Sequence, residues 1–113
     1  MTKELTAVKA LQSALEAKFA HDLMVLDLTD ISPIADYFVI ATASSAPQMA
    51  AIADTAEETL KNEGLSMLHV EGMQSSKWVL LDFGAIIVHL FDKESREYYN
   101  LERTWGDAKV VEQ

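Results

Sequence analysis

Few residues in this chain of 113 have the type and spacing for chemistry. Asp82 is the one acid inside the run Trp78-Val79-Leu80-Leu81-Asp82-Phe83, and a carboxylate among apolar neighbours is a candidate general base. A base needs a nucleophile or a metal to act on, and none is apparent. No G-x-S-x-G turn occurs. Gly64, Gly72, Gly84 and Gly106 stand too far apart to cradle a phosphate. The D-x-D or E-x-D pairs that hold two metal ions are missing, and the nearest approach, Asp27 and Asp30, falls at a strand end. His69 and Glu71 share a strand face and His89 belongs to a later strand, so a two-histidine, one-carboxylate site can be drawn. Polar positions on a half-exposed sheet account for the same residues equally well. Neither an enzymatic activity nor a cofactor nor a metal is expected, and Asp82 reads instead as a contact residue.

The elements that would carry these residues follow from periodicity. Leu5, Val8, Leu11, Leu15 and Phe19 recur at three- and four-residue steps, giving an amphipathic helix of about four turns that His21-Asp22 ends. Leu23–Leu28 reads as a short buried strand and residues 29–33 as a turn closed by Pro33. Asp36–Ala43 is β-branched and aromatic, a central strand. Ser45 with Gln48 makes a capping box, Pro47 suits a first turn, and Met49, Ile52, Ala53, Ala56 and Leu60 are the stripe of a second helix that stops at Gly64. Ser66–Glu71, Lys77–Phe83 and Ala85–Phe91 are three more strands, the last two turning about Gly84. Asp92–Arg96 begins a polar turn or short helix, and Tyr98–Trp105 forms a final helical turn or two. The order α-β-β-α-β-β-β-α predicts a single α/β domain over residues 1–113. It comprises one mixed five-stranded sheet with both long helices on one face and the other face left to solvent or a partner.

Period two sends Val79, Leu81 and Phe83 to the helix-covered core and Trp78, Leu80 and Asp82 to the opposite face. Trp, Tyr and Arg are over-represented at binding hot spots, and Trp78, Tyr98, Tyr99, Arg103 and Trp105 gather in the last third of the chain. Leu101, four residues before Trp105, is read as packing onto its own sheet.

Composition narrows the partners. Eighteen acids against nine bases give a net charge of −9, with the bases scattered, so nucleic acid and anionic lipid would be repelled. The absence of cysteine excludes disulfides, thiolate metal sites and cysteine nucleophiles. The first 18 residues lack the apolar core of a signal peptide, and no run approaches the length of a membrane span, so a soluble cytoplasmic protein is expected.

Several segments together resemble the ribosomal silencing factors, the RsfS or iojap-like family. They are Asp30-Ile31-Ser32, Ala35-Asp36-Tyr37-Phe38-Val39-Ile40, Ser45-x-x-Gln48 and Glu71-Gly72, then Trp78 through Gly84, Val88-His89-x-Phe91, and Arg96-x-Tyr98-Tyr99-x-Leu101-Glu102-x-x-Trp105. They occur in order over nearly the whole chain, with Thr104 the one departure, where the family carries a bulky aliphatic residue. The resemblance implies a nucleotidyltransferase-like fold without its catalytic acids. It also implies a repressor that binds the conserved large-subunit protein number fourteen, blocks joining of the ribosomal subunits and lowers translation in starvation or stationary phase. It places Trp78, Asp82, Tyr98 and Glu102 at the ribosomal contact, with Asp92 and Arg96 on its rim. Homodimers are implied as well. The alternatives are a residual nucleotide-binding or nucleotidyltransferase enzyme and a scaffold that pairs only with itself.

Overall fold

The structure, a computed structural model, describes residues 3–111. The predicted first helix forms as α1 (Lys3–Ala17), burying Ala7, Val8, Leu11, Gln12 and Leu15. Phe19 does not extend the stripe: it sits at φ 63°, 76 % exposed. The Ala20 N–H returns to the Leu15 carbonyl and the Phe19 N–H to Glu16, the paired bonds that end a helix through a left-handed residue. The chain therefore turns earlier than periodicity suggests, and His21 and Asp22 open strand β1 (His21–Asp27) instead of closing the helix.

Strand β2 (Tyr37–Thr42) is buried throughout, and α2 (Ala46–Asn62) follows with Ser45 as its N-cap and Pro47 in its first turn. Gln48 does more than complete a capping box. Its Oε1 accepts from the Ser44 N–H at 2.6 Å while its Nε2 donates to the Phe19 carbonyl at 3.0 Å, tying the end of α1 to the start of α2. Next come β3 (His69–Glu71), β4 (Trp78–Asp82), β5 (Ile86–Phe91), α3 (Lys93–Tyr99), α4 (Leu101–Thr104) and β6 (Lys109–Val110). Gly72, at φ +85°, is required at the β3–β4 connection, because a Cβ there would lie 1.9 Å from the Trp78 carbonyl oxygen. Asn100, left-handed at φ 45°, separates α3 from α4, and its Oδ1 accepts from the Arg103 N–H.

The sheet is mixed but has six strands, ordered β3-β4-β5-β2-β1-β6, where five were expected. The sixth pairs Val110 with Leu26 and Lys109 with Asp27; two residues are too few to carry a strand period of their own. Among the described residues only β2 and β5 run parallel, with α2, β3 and β4 lying between them in sequence. Both long helices pack on one face, over Val25, Val39, Ala41, Val79, Leu81, Val88 and Leu90. The opposite face is not left open, as predicted, but half covered. Leu101, Trp105 and Ala108 fold back over Leu26, Phe38 and Ile40, burying the β1–β2 side and leaving the β4–β3 side free. Thr104 is exposed, so its departure from the family pattern disturbs no core packing. Among the described residues, no helix is long and apolar enough to cross a membrane.

Candidate functional site

Antiparallel register builds the site on the uncovered side of the second face. Trp78 lies opposite Phe91, Leu80 opposite His89 and Asp82 opposite Ile87, so alternate residues of β4 and β5 form cross-strand pairs on one surface. The parallel partner β2 adds Phe38 beside Ile87 and Ile40 beside His89. Helix α3 then leans Tyr99 onto Trp78, with ring centroids 4.5 Å apart, while Phe91 approaches the same indole at 5.1 Å. Tyr98 meets Tyr99 edge-on at 5.0 Å and is itself 80 % exposed. The result is a wall of aromatic rings whose outermost members face solvent, the geometry of a desolvatable anchor.

Trp78 is held by His89, which the sequence offered as a metal ligand or, equally, as an ordinary polar position on a half-exposed sheet. Its Nε1–H donates to His89 Nδ1 at 3.1 Å. The imidazole is sealed beneath it, edge-on to Phe38 at 4.6 Å. Accepting at Nδ1 places the ring proton on Nε2, which is buried without a partner. Burial lowers the His89 pKa from 6.5 to about 4, because the cation would lose its water and gain no counter-charge. Neither nitrogen is presented to a substrate. His69 and Glu71 lie on the exposed edge strand, paired with each other at 3.2 Å. Among the described residues, no group of three histidines or acids is placed to hold a metal ion. The sequence put His89 on a later strand; what it could not show was that the position lies across from Leu80 and is covered.

The buried neutral histidine makes stability depend on pH. The folded pKa is depressed, so between about pH 6.5 and 4 the unfolded chain binds the proton and the folded chain does not; stability falls as pH falls through that window. Between pH 7 and 5 the expected loss from this residue is about 2 kcal/mol. Urea melts at the two pH values should show that loss in the parent and little of it in His89→Asn. Equal slopes in both would sever the link to His89.

The remaining predicted contact residues serve the scaffold to different degrees. Asp82 is half-buried, and its Oδ1 accepts from the Gly84 N–H at 2.8 Å, capping the β4–β5 turn. Asp92 is the N-cap of α3, its Oδ1 accepting from the Ser95 N–H at 2.8 Å. Arg96 does not lie on a rim. It is 8 % exposed, with Nε donating to Glu102 Oε1 at 3.1 Å, Nη1 to Thr42 Oγ1 at 2.9 Å and Nη2 to the Asp22 carbonyl at 2.8 Å. Its sequence position, four residues into an amphiphilic stretch, gave no sign of this, since the partners come from β1, β2 and α4. Glu102 is half-buried through the same pair. Between α3 and the start of β4, a recess of about 280 Å³ is lined by Lys77, Asp92, Glu94 and the two tyrosines. Exposed aromatics bordered by two carboxylates and a single lysine suit a basic protein surface better than a small substrate.

The family model described as ribosomal silencing factor during starvation matches residues 2–113. The ribosomal silencing factor RsfS of Bacillus subtilis (strain 168) is 39 % identical over 105 residues, covering 93 % of this chain and 89 % of the relative. A mouse protein named mitochondrial assembly of ribosomal large subunit protein 1 is 30 % identical over 101 residues, covering 87 % of this chain and 44 % of its own length. The crystal structure of a Chromobacterium violaceum protein superposes with a TM-score of 0.86 at 31 % identity, covering 94 % of this chain and 88 % of that one.

Proposed function

The chain belongs to the ribosomal silencing factor family, and on that premise we propose that it is a non-enzymatic repressor of translation. It acts in the cytoplasm by docking on the large ribosomal subunit through the conserved protein number fourteen, and it blocks the small subunit sterically. The observation that carries this reading is the half-covered sheet face. Trp78 and Leu80 lie there, with Asp82 at the far end of the same strand. Tyr99 packs on Trp78 beside exposed Tyr98, with Asp92, Glu94 and Lys77 around the two tyrosines. An acidic, aromatic surface on a chain of net charge −9 complements a basic ribosomal protein, with charge setting encounter and rings supplying the buried contact. In this reading Trp78, Tyr98 and Asp82 touch the partner, while Arg96 and Glu102 act from behind by fixing α3. The name of the mouse relative points to the large subunit for that protein. A second copy seated on the same face would compete with the ribosome, so any dimer has to part before binding.

The test is sedimentation of the purified protein with isolated large subunits at moderate salt, followed by addition of small subunits. The protein should travel with the large subunit and reduce the yield of joined ribosomes. Protein left at the top of the gradient, with joining unaffected, would refute the proposal.

A further inference from the structure

The sheet has a second unfilled surface, at its other side and outer edge. Among the described residues, strand β3 is hydrogen-bonded only to β4. The Phe83 N–H donates to Ile86 across the β4–β5 turn, so by alternation the backbone of Leu81 also faces β5. Val70 lies opposite Leu81 and therefore turns its own N–H and C=O outward, to the free edge. Edge strands are ordinarily blunted by brevity, charge or cover, and β3 is three residues long with His69 and Glu71 on its other face. Its helix-side face still leaves Val70 37 % exposed, and the flanking Leu68 and Met73 are 69 % and 40 % exposed.

The Val70 side chain points to the helix-covered side, away from Trp78 and Asp82. There it borders a groove of about 210 Å³ between β3 and α2, walled by Met67 and Met73 and floored by Leu81. Methionine thioethers adapt to varied partners. The α2 wall contributes Asp54 and Glu57, one turn apart, and no basic side chain lines the groove.

We propose that this edge and groove form a docking site for an extended cationic segment of a partner protein, which adds a strand beside β3. An apolar residue would sit next to Val70. Lysine or arginine two positions away on the same face of the added strand would reach Asp54 and Glu57, since alternate residues of a strand share a face about 7 Å apart. A second copy of this chain is the wrong occupant. Symmetric edge pairing would bring Asp54 and Glu57 of each copy toward those of the other, on chains that each carry −9. The site lies on the opposite side of the sheet from the aromatic wall and stands independently of the ribosome-docking reading.

The probe is the blocked heptapeptide Thr-Lys-Thr-Val-Thr-Lys-Thr, titrated into ¹⁵N-labelled full-length protein and followed by NMR. Saturable shifts are expected at Val70, Met73 and Asp54, with a dissociation constant of about 0.1–1 mM. The same peptide with glutamate in place of lysine should not bind. The double variant Asp54→Lys, Glu57→Lys, both exposed on α2, should weaken binding about tenfold or more while the rest of the spectrum is retained. Three outcomes would overturn the proposal. They are no saturable shift at a few millimolar peptide, shifts centred on Tyr98 and Tyr99, and movement of the Val70 amide on dilution of the protein alone, which would mean a second copy covers the edge.

Discussion

Arg96→Ala is expected to destabilise the fold by about 3 kcal/mol, the low end of the cost of removing one partner from a buried ion pair, because Glu102 is only half-buried. The guanidinium spends all three of its nitrogens on separate elements: Glu102 at the start of α4, Thr42 at the end of β2 and the Asp22 carbonyl at the start of β1. Alanine would leave a half-buried Glu102 carboxylate, a buried Thr42 hydroxyl and a main-chain carbonyl without their donor. Each such orphan carries a desolvation penalty. Arg96→Lys should recover only part of the loss, because a single ammonium cannot span three acceptors placed for a planar fork. In urea melts the midpoint should fall for both variants, further for alanine, with the thermal midpoint lowered on the order of 15 °C for alanine. A loss below 1 kcal/mol would show that α3 is held by its aromatic contacts alone. The consequence for function is indirect, since loosening α3 displaces Tyr98 and Tyr99.

Trp78→Ala is expected to cut affinity for large subunits about thirtyfold or more, which corresponds to roughly 2 kcal/mol, the threshold of a hot spot. The indole touches Phe91 and Tyr99 on one flank and caps His89 through its N–H, so truncation removes the anchor and also opens the wall that positions its neighbours. Part of the effect will therefore appear as lost stability, measured by the same urea melts. Tyr98→Ala separates the two. Tyr98 is mostly in solvent and rests only edge-on against Tyr99, so its loss should leave the melt unchanged and still weaken co-sedimentation. If both variants sediment with large subunits like the parent, the contact lies on another surface.

Most of the element order was legible in the sequence. The residues that decide it repeat at local periods: the α2 stripe from Met49 to Leu60, the Ser45 cap, and the alternation that sends Val79, Leu81 and Phe83 to one side and Trp78, Leu80 and Asp82 to the other. Errors cluster where a local pattern competes with a termination signal or is too short to register. Phe19 fits the helical period, yet the chain turns left-handed there because Ala20 and Leu15 close the helix end. Strand β3 shrinks from six expected residues to three, and β6 offers only two. Of the candidate contacts, the alternation placed Trp78 and Asp82 on their face. It could not show that Asp82 also caps a turn or that Asp92 caps a helix, since a capping carboxylate and a free surface one look alike in a sequence.

By itself the sequence determined the helices, the two faces of the β4–β5 hairpin and an acidic surface without catalytic pairs, because periodicity and charge are carried by neighbouring residues. Only the tertiary structure decided how much of the second face stays free, because that depends on where the last 20 or so residues fold back. It alone made Arg96 a buried clamp, joining residues 54 and 74 positions away. It alone converted His89 from a surface candidate into the neutral support of Trp78. Such contacts form between segments with no shared local pattern, and their strength comes from burial, which exists only once the sheet is assembled.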